Sequence, residues 1–144
     1  MKRTTLNISG FILFVLFSYT LTAQQQIIVD PAGQGDYTTL KQALESVNGT
    51  TLTSDVEILI KSGVYTEEGL TISQIDNAQN DHSIVIRSES ENAEDVIIMN
   101  SDTTSFNPRL LSISHVSNLT IKHITMEANG KVYTENLISL GNGL

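Results

Sequence analysis

Three histidines, His82, His115 and His123, are the first residues whose type could support chemistry. A transition-metal site needs three or four ligands converging on one point. His115 and His123 stand eight residues apart, and neither His-x-x-His nor His-Glu-x-x-His spacing occurs. Local spacing therefore assembles no metal site, and the three read as surface or corner histidines. Gly33-Gln34-Gly35 has the start of a dinucleotide-binding loop. Thr38 stands where the third glycine belongs, and no βαβ series follows. The chain has no cysteine, which removes disulfides, thiolate nucleophiles and cysteine–zinc sites together. Tyr37, Tyr65 and Tyr133 offer faces on which a pyranose ring could stack, but there is no tryptophan. Tyr37 and Tyr65 read as packing residues and Tyr133 as a corner. Asn48-Gly49-Thr50 and Asn118-Leu119-Thr120 match the N-glycosylation pattern, and Asn118 equally suits a polar turn.

The elements that must position these residues announce themselves as a repeat. Short β-branched runs recur in two interleaved series. The central isoleucines of one are Ile58, Ile86, Ile113 and Ile138, with gaps of 28, 27 and 25 residues. Those of the other are Ile72, Ile97 and Ile121, with gaps of 25 and 24. Two strand families at one shared period are expected of a chain coiling around an axis, each turn laying a strand beside its equivalent in the turn before. The two series are expected to form two inward files. On that basis Ile97→Asp is expected to prevent folding.

Ahead of the repeat, Ile27-Ile28-Val29 reads as a strand and Asp30 to Asp36 as turn chemistry, where Pro31 fixes φ and Gly33 and Gly35 permit φ above zero. Leu40, Ala43, Leu44 and Val47 then recur at helical spacing. Asp36 or Thr38 is expected to cap that helix, and Asn48-Gly49 to stop it. A single amphipathic helix before an array of strands suits a cap over the open end of a stack. Gly63 reads as the bend after strand 56–60, and Lys122-His123 as a corner.

Residues 1–23 have the pattern of a secretory signal: Lys2 and Arg3, the apolar run Phe11 to Phe17, and small Ala23. The run is too short to span a bilayer comfortably. Cleavage leaves 121 residues with six Lys and Arg against sixteen Asp and Glu, a formal charge of −10. Such a surface repels nucleic acid and anionic membranes. The expected organisation is a signal over 1–23, a first strand and capping helix over 24–55, and stacked strands over 56–144. Asn136 to Leu140 is a last strand with no cap after it, so the sequence is expected to be the opening of a longer protein.

Two blocks carry a family resemblance. They are Gly33-x-Gly35-Asp36-Tyr37-x-Thr39-Leu40-x-x-Ala43-Leu44 and Ile58-x-Ile60-Lys61-x-Gly63-x-Tyr65-x-Glu67. Together they resemble the opening of the pectin-lyase-like superfamily, and of pectinesterases within it. The later segments Asp81 to Ser88, Asp95 to Ile98 and Asn118 to Met126 resemble modules of large secreted surface proteins of the Bacteroidota. The resemblance implies an all-β fold, a right-handed parallel β-helix (a solenoid) with a short N-terminal capping α-helix. It implies a secreted or cell-surface location.

For chemistry the resemblance implies acidic residues on one face. The Gln-Asp, Asp-Phe-Ile-Phe-Gly and Leu-Gly-Arg-Pro-Trp motifs of pectinesterases are absent. Pectate lyases use calcium-binding carboxylates and a basic residue on a later turn, and Asp102, Lys122, His123 and Glu127 are the candidates here. Abstracting a proton beside a sugar carboxylate needs a base of lowered pKa and a cation on that carboxylate. One lysine among scattered acids does not establish this, so solvated surface is the default for all four.

Three functions stay open. One is a non-catalytic structural or adhesive module whose partner is extracellular polysaccharide and which needs no cofactor. Another is the front of a polysaccharide-active enzyme, a pectinesterase or a lyase, with catalytic residues beyond Leu144 and calcium only in the lyase case. The third is a fibre or spacer segment.

Overall fold

The computed structural model describes residues 24–76, 81–101, 109–127 and 138–141. The proposed signal over 1–23, Asp102 and Tyr133 lie outside the described residues. The chain is mostly strands in parallel sheets, with one α-helix and a short 3-10 turn at Ala93–Asp95 among the described residues. In order the strands and the α-helix are β1 (Gln25–Val29), α1 (Leu40–Val47), β2 (Val56–Ile60), β3 (Gly63–Glu67), β4 (Leu70–Ser73), β5 (Ile84–Ser88), β6 (Val96–Asn100), β7 (Leu111–Ser114), β8 (Leu119–Lys122), β9 (Thr125–Glu127) and β10 (Ile138–Leu140).

The strands sort into three sheets, β1-β2-β5-β8, β3-β6-β9 and β4-β7-β10. From β2 onward the chain visits the three in strict rotation, and every strand pair is parallel. Short β-branched strands pleat so that alternate residues face inward. β5 and β6 show it directly: positions 84, 86 and 88, and 96, 98 and 100, are buried, while those between are half-exposed.

In-register pairing stacks like positions. Ile27, Ile58, Ile86 and Ile121 form one file. Tyr65, Ile98 and Met126 form a second, and Ile72 with Ile113 a third. The expected two-file arrangement is therefore corrected. Ile113 lies on Ile72 rather than on Ile86, Ile121 lies on Ile86, and Leu111 rather than Ile113 pairs with Ile138. Ile97 faces outward between Val64 and Thr125. The physical reason is that β3, Gly63-Val64-Tyr65-Thr66-Glu67, has no apolar run to announce it. Three strand families then look like two.

Around β1 the chain folds back and covers the strand's outer edge. Asp36 Oδ2 accepts from the Ile28 amide at 2.8 Å, and the Asp36 and Tyr37 amides donate to Ile28 O at 2.8 and 3.2 Å. Asp36 is thus an edge cover and not a helix cap. Gly35 is needed for space, because a Cβ there would meet Ile28 O at 2.6 Å. Gly63 is likewise no bend but the first residue of β3, packed against Pro31.

Helix α1 buries Leu40, Ala43, Leu44 and Val47, the residues its spacing selects. Its cap is Thr39, whose side chain accepts from the Gln42 amide. Beside it, Glu67 of β3 accepts from the Leu40 amide at 2.8 Å. A buried carboxylate from another element thereby satisfies a donor that the first helical turn leaves unpaired. Tyr65 is buried, as its amphipathic character suggests, and its hydroxyl donates to Lys61 O at 2.8 Å. Burial first, then the nearby Asp30 and Glu67 charges, push its phenol up to about 12.

Two stability measurements check these assignments. Ile98 is fully buried, so Ile98→Asp should cost more than about 4 kcal/mol and abolish the cooperative melt, whereas outward Ile97→Asp should cost about 1 kcal/mol. Equal losses in urea titrations would overturn the three-sheet register. Glu67→Ala should cost about 1–3 kcal/mol by stranding the Leu40 donor. An unchanged urea midpoint would show that this bond contributes nothing.

Candidate functional site

The described candidates do not converge. Lys122 ends β8 on the outer side of the first sheet, exposed. Glu127 ends β9, on a different sheet, also exposed and in register with Met99. Between them His123 makes the corner expected of it, with φ of 55°. It is half-buried, and its Nδ1 is buried without a hydrogen-bond partner. The left-handed backbone at 123 ends one strand and lets the chain enter β9 two residues later. His123 is thus placed as a corner residue, and the carboxylate and ammonium of the suggested lyase set sit on separate faces.

The other histidines also occupy corners. His115 follows β7 with φ of 50° and is exposed. His82 precedes β5, with Nδ1 3.8 Å from Asp55 Oδ1. That same carboxylate oxygen accepts from the Ser83 amide at 2.7 Å and from its hydroxyl at 3.1 Å. Serine and histidine both address the aspartate, so the serine is not activated by the histidine as nucleophilic catalysis requires. Asn118, with φ of 50°, lies at the turn before β8, and its side chain donates to His82 O at 3.5 Å. Among the described residues no group of three or more His, Asp or Glu is placed to hold a metal ion.

The densest polar arrangement is one that sequence spacing did not reveal. On the outer side of the first sheet, Arg87 Nε donates to Glu57 Oε1 at 2.7 Å, and Arg87 Nη1 lies 3.4 Å from Glu91 Oε1. Gln26 donates to the other Glu57 oxygen at 3.3 Å. Glu57 faces Val85 across the ladder and Arg87 faces Leu59, so the ion pair is a diagonal one, within reach of long side chains. Lys122 extends the row, in register with Arg87 on the next strand. The only sequence signal was the charge pattern of β2 and β5, and reading it requires their register.

An open recess of about 390 Å³ lies between Ile113, Val116, Ser117, Asn118, Leu119 and Leu140. Its lining among the described residues carries no ionisable group and offers shape and apolar contact.

Among the described residues three carboxylates are shifted from their ordinary pKa. The Arg87 hydrogen bond holds Glu57 below its ordinary pKa, with smaller contributions from Gln26 and the Arg87 and Lys122 charges. Hydrogen bonds from Ser83 hold Asp55 down. Burial pushes Glu67 up, against the opposing Leu40 and Lys41 amides. Depressed groups stabilise the fold above their unfolded pKa and lose that contribution as pH falls through the folded value. A raised group does the opposite, stabilising below its unfolded pKa and losing that contribution as pH rises through the folded one. Thermal melts followed by circular dichroism should therefore show stability rising as pH drops from neutrality toward the carboxylate range, then falling below it. Glu67→Gln should remove the rise, and Glu57→Gln should soften the fall. A rise that survives Glu67→Gln would assign it to another group.

Comparisons of the chain with models of protein families, with curated proteins and with solved structures gave no significant match.

Proposed function

We propose that the chain is a right-handed parallel β-helix module, capped at its N-terminal end by α1, that serves at the cell surface as a non-catalytic structural or adhesive element touching extracellular polysaccharide. The rotation of successive strands through three sheets in unbroken parallel register supports the architecture. The opening motif around Gly35 to Leu44 and Ile58 to Glu67 supports the resemblance to pectin-lyase-like proteins, and a signal over 1–23 would place the module outside the cell.

The observation that carries the functional reading is the outward row Gln26, Glu57, Arg87 and Lys122. It presents amide, carboxylate, guanidinium and ammonium groups on adjacent strands about 4.8 Å apart. Exposed Gln26 and Lys122 flank the mutually paired Glu57 and Arg87, and polar groups held at fixed spacing suit sugar hydroxyls, which both donate and accept. The dispersion of Lys122, His123 and Glu127 favours binding over turnover.

Affinity electrophoresis against a panel of neutral and acidic extracellular polysaccharides tests this. At least one polymer should retard the protein, and Lys122→Ala, at an exposed position, should weaken that retardation by about threefold to tenfold. Release of methanol or of unsaturated sugar ends would replace this reading with the enzyme reading. No retardation by any polymer would leave only the structural role.

A further inference from the structure

Asn48 does for β4 what Asp36 does for β1. Its Nδ2 donates to Thr71 O at 2.8 Å, and its Oδ1 accepts from the Ser73 amide at 2.9 Å. The next amide, Gly49, donates to Ser73 O at 3.3 Å. A side-chain amide and one backbone amide thus stand in for a paired strand along the β4 edge, and tie it to the C-terminal end of α1. The asparagine's own amide is occupied as well, donating to Leu44 O at 3.0 Å.

Asn48 is also followed by glycine. In an Asn-Gly pair the glycine nitrogen reaches the asparagine Cγ with no Cβ to obstruct it. The nitrogen attacks Cγ, an N–Cγ bond forms, the Cγ–Nδ2 bond breaks, and ammonia leaves with the proton the nitrogen gives up. Water then opens the resulting ring to an aspartyl or isoaspartyl residue. No electrons are gained or lost, and water is the only co-reactant. In the folded chain both reacting groups are committed: Gly49 N–H to Ser73 O, and both ends of the Asn48 amide to β4.

We propose that Asn48 is a deamidation-sensitive latch. Docking against β4 protects it, and an excursion that lifts the α1 end from the edge exposes it to a change that cannot be reversed by redocking. The product sets a carboxylate oxygen where Nδ2 stood, facing Thr71 O, so a donor–acceptor contact becomes acceptor against acceptor. An isoaspartyl product also lengthens the backbone and displaces the Gly49 donor. The aspartyl product therefore loses the Thr71 contact and the isoaspartyl product the Gly49 contact as well, so the β4 edge cover is weakened, and a poorly covered parallel edge is a template for pairing with other chains.

The test ages the full-length protein at mildly alkaline pH, folded and in denaturant, and follows conversion at Asn48 by peptide mass mapping. Conversion should be at least about tenfold slower in the folded protein, as expected for a site reached only by local opening. Deamidated molecules isolated from the aged sample should melt below fresh protein. Asn48→Asp, which keeps the Ser73 acceptor but sets a carboxylate oxygen against Thr71 O, should melt below the unsubstituted protein. Equal conversion rates in folded and unfolded protein would overturn the proposal, as would an aged, deamidated sample that melts with the fresh one.

Discussion

Parallel in-register pairing is the constraint on which everything else in this molecule depends. It forces each inward side chain to lie on the equivalent side chain one turn away, so the core consists of files rather than a mixed interior. Ile27, Ile58, Ile86 and Ile121 are of one type because they share one environment. Elsewhere the file changes composition to fit. Gly63 lies beside Val96 where Pro31 approaches, and buried Glu67 lies beside buried Asn100 where the strand leaves the core. A polar group in such a file must find its partner outside it, as Glu67 does on the helix.

The same pairing creates a problem at the first turn, whose strands have no preceding turn to bond with. Two side chains solve it at the strand edges, and a third closes the start of the helix that covers them. Asp36 takes the Ile28 amide, Asn48 takes both Thr71 O and the Ser73 amide, and Glu67 takes the first amide of α1. Each brings its polar group to backbone that has no ladder or helix partner, and the Leu40 amide is the buried one, where an unmade bond costs most. The helix buries its apolar stripe above this edge, but the edge is closed chemically by these residues and by Gly49.

How much of this could be read from the residues follows from which forces are local. Helix α1 was legible because Leu40, Ala43, Leu44 and Val47 report a 3.6-residue period within one short segment. β2, β5, β7 and β8 were legible as β-branched runs, and the Lys122-His123 corner as a break in alternation. Register was not legible, because the links between sheets vary in length. Lys61 and Ser62 alone join β2 to β3, Glu89 to Asp95 join β5 to β6, and His123 and Ile124 join β8 to β9. With unequal links, spacing in sequence does not translate into height in the stack. Val96-Ile97-Ile98-Met99 is apolar at every position, so it does not declare which side faces in. The Glu57–Arg87 pair was invisible for the same reason, and the contacts of Asn48 with β4 and of Glu67 with Leu40 were invisible because each depends on where α1 docks.

Such a construction separates what stabilises the molecule from what it shows to solvent. Inward positions are fixed by their files, whereas an outward residue answers only to its neighbours on the same face. The three faces have accordingly taken different characters. The first sheet presents Gln26, Glu57, Arg87 and Lys122. The second presents Val64, Ile97 and Met99, with Val64 57% exposed. The third presents Thr71 and Ser112, side by side. On the first face Glu57 and Glu91 hold the guanidinium of Arg87, while Lys122 stays exposed. The pair therefore fixes the geometry of the row, and the lysine supplies the charge that a ligand would meet. The row is thus organised from within, because Glu57 and Glu91 position the Arg87 guanidinium and the register sets Lys122 beside it.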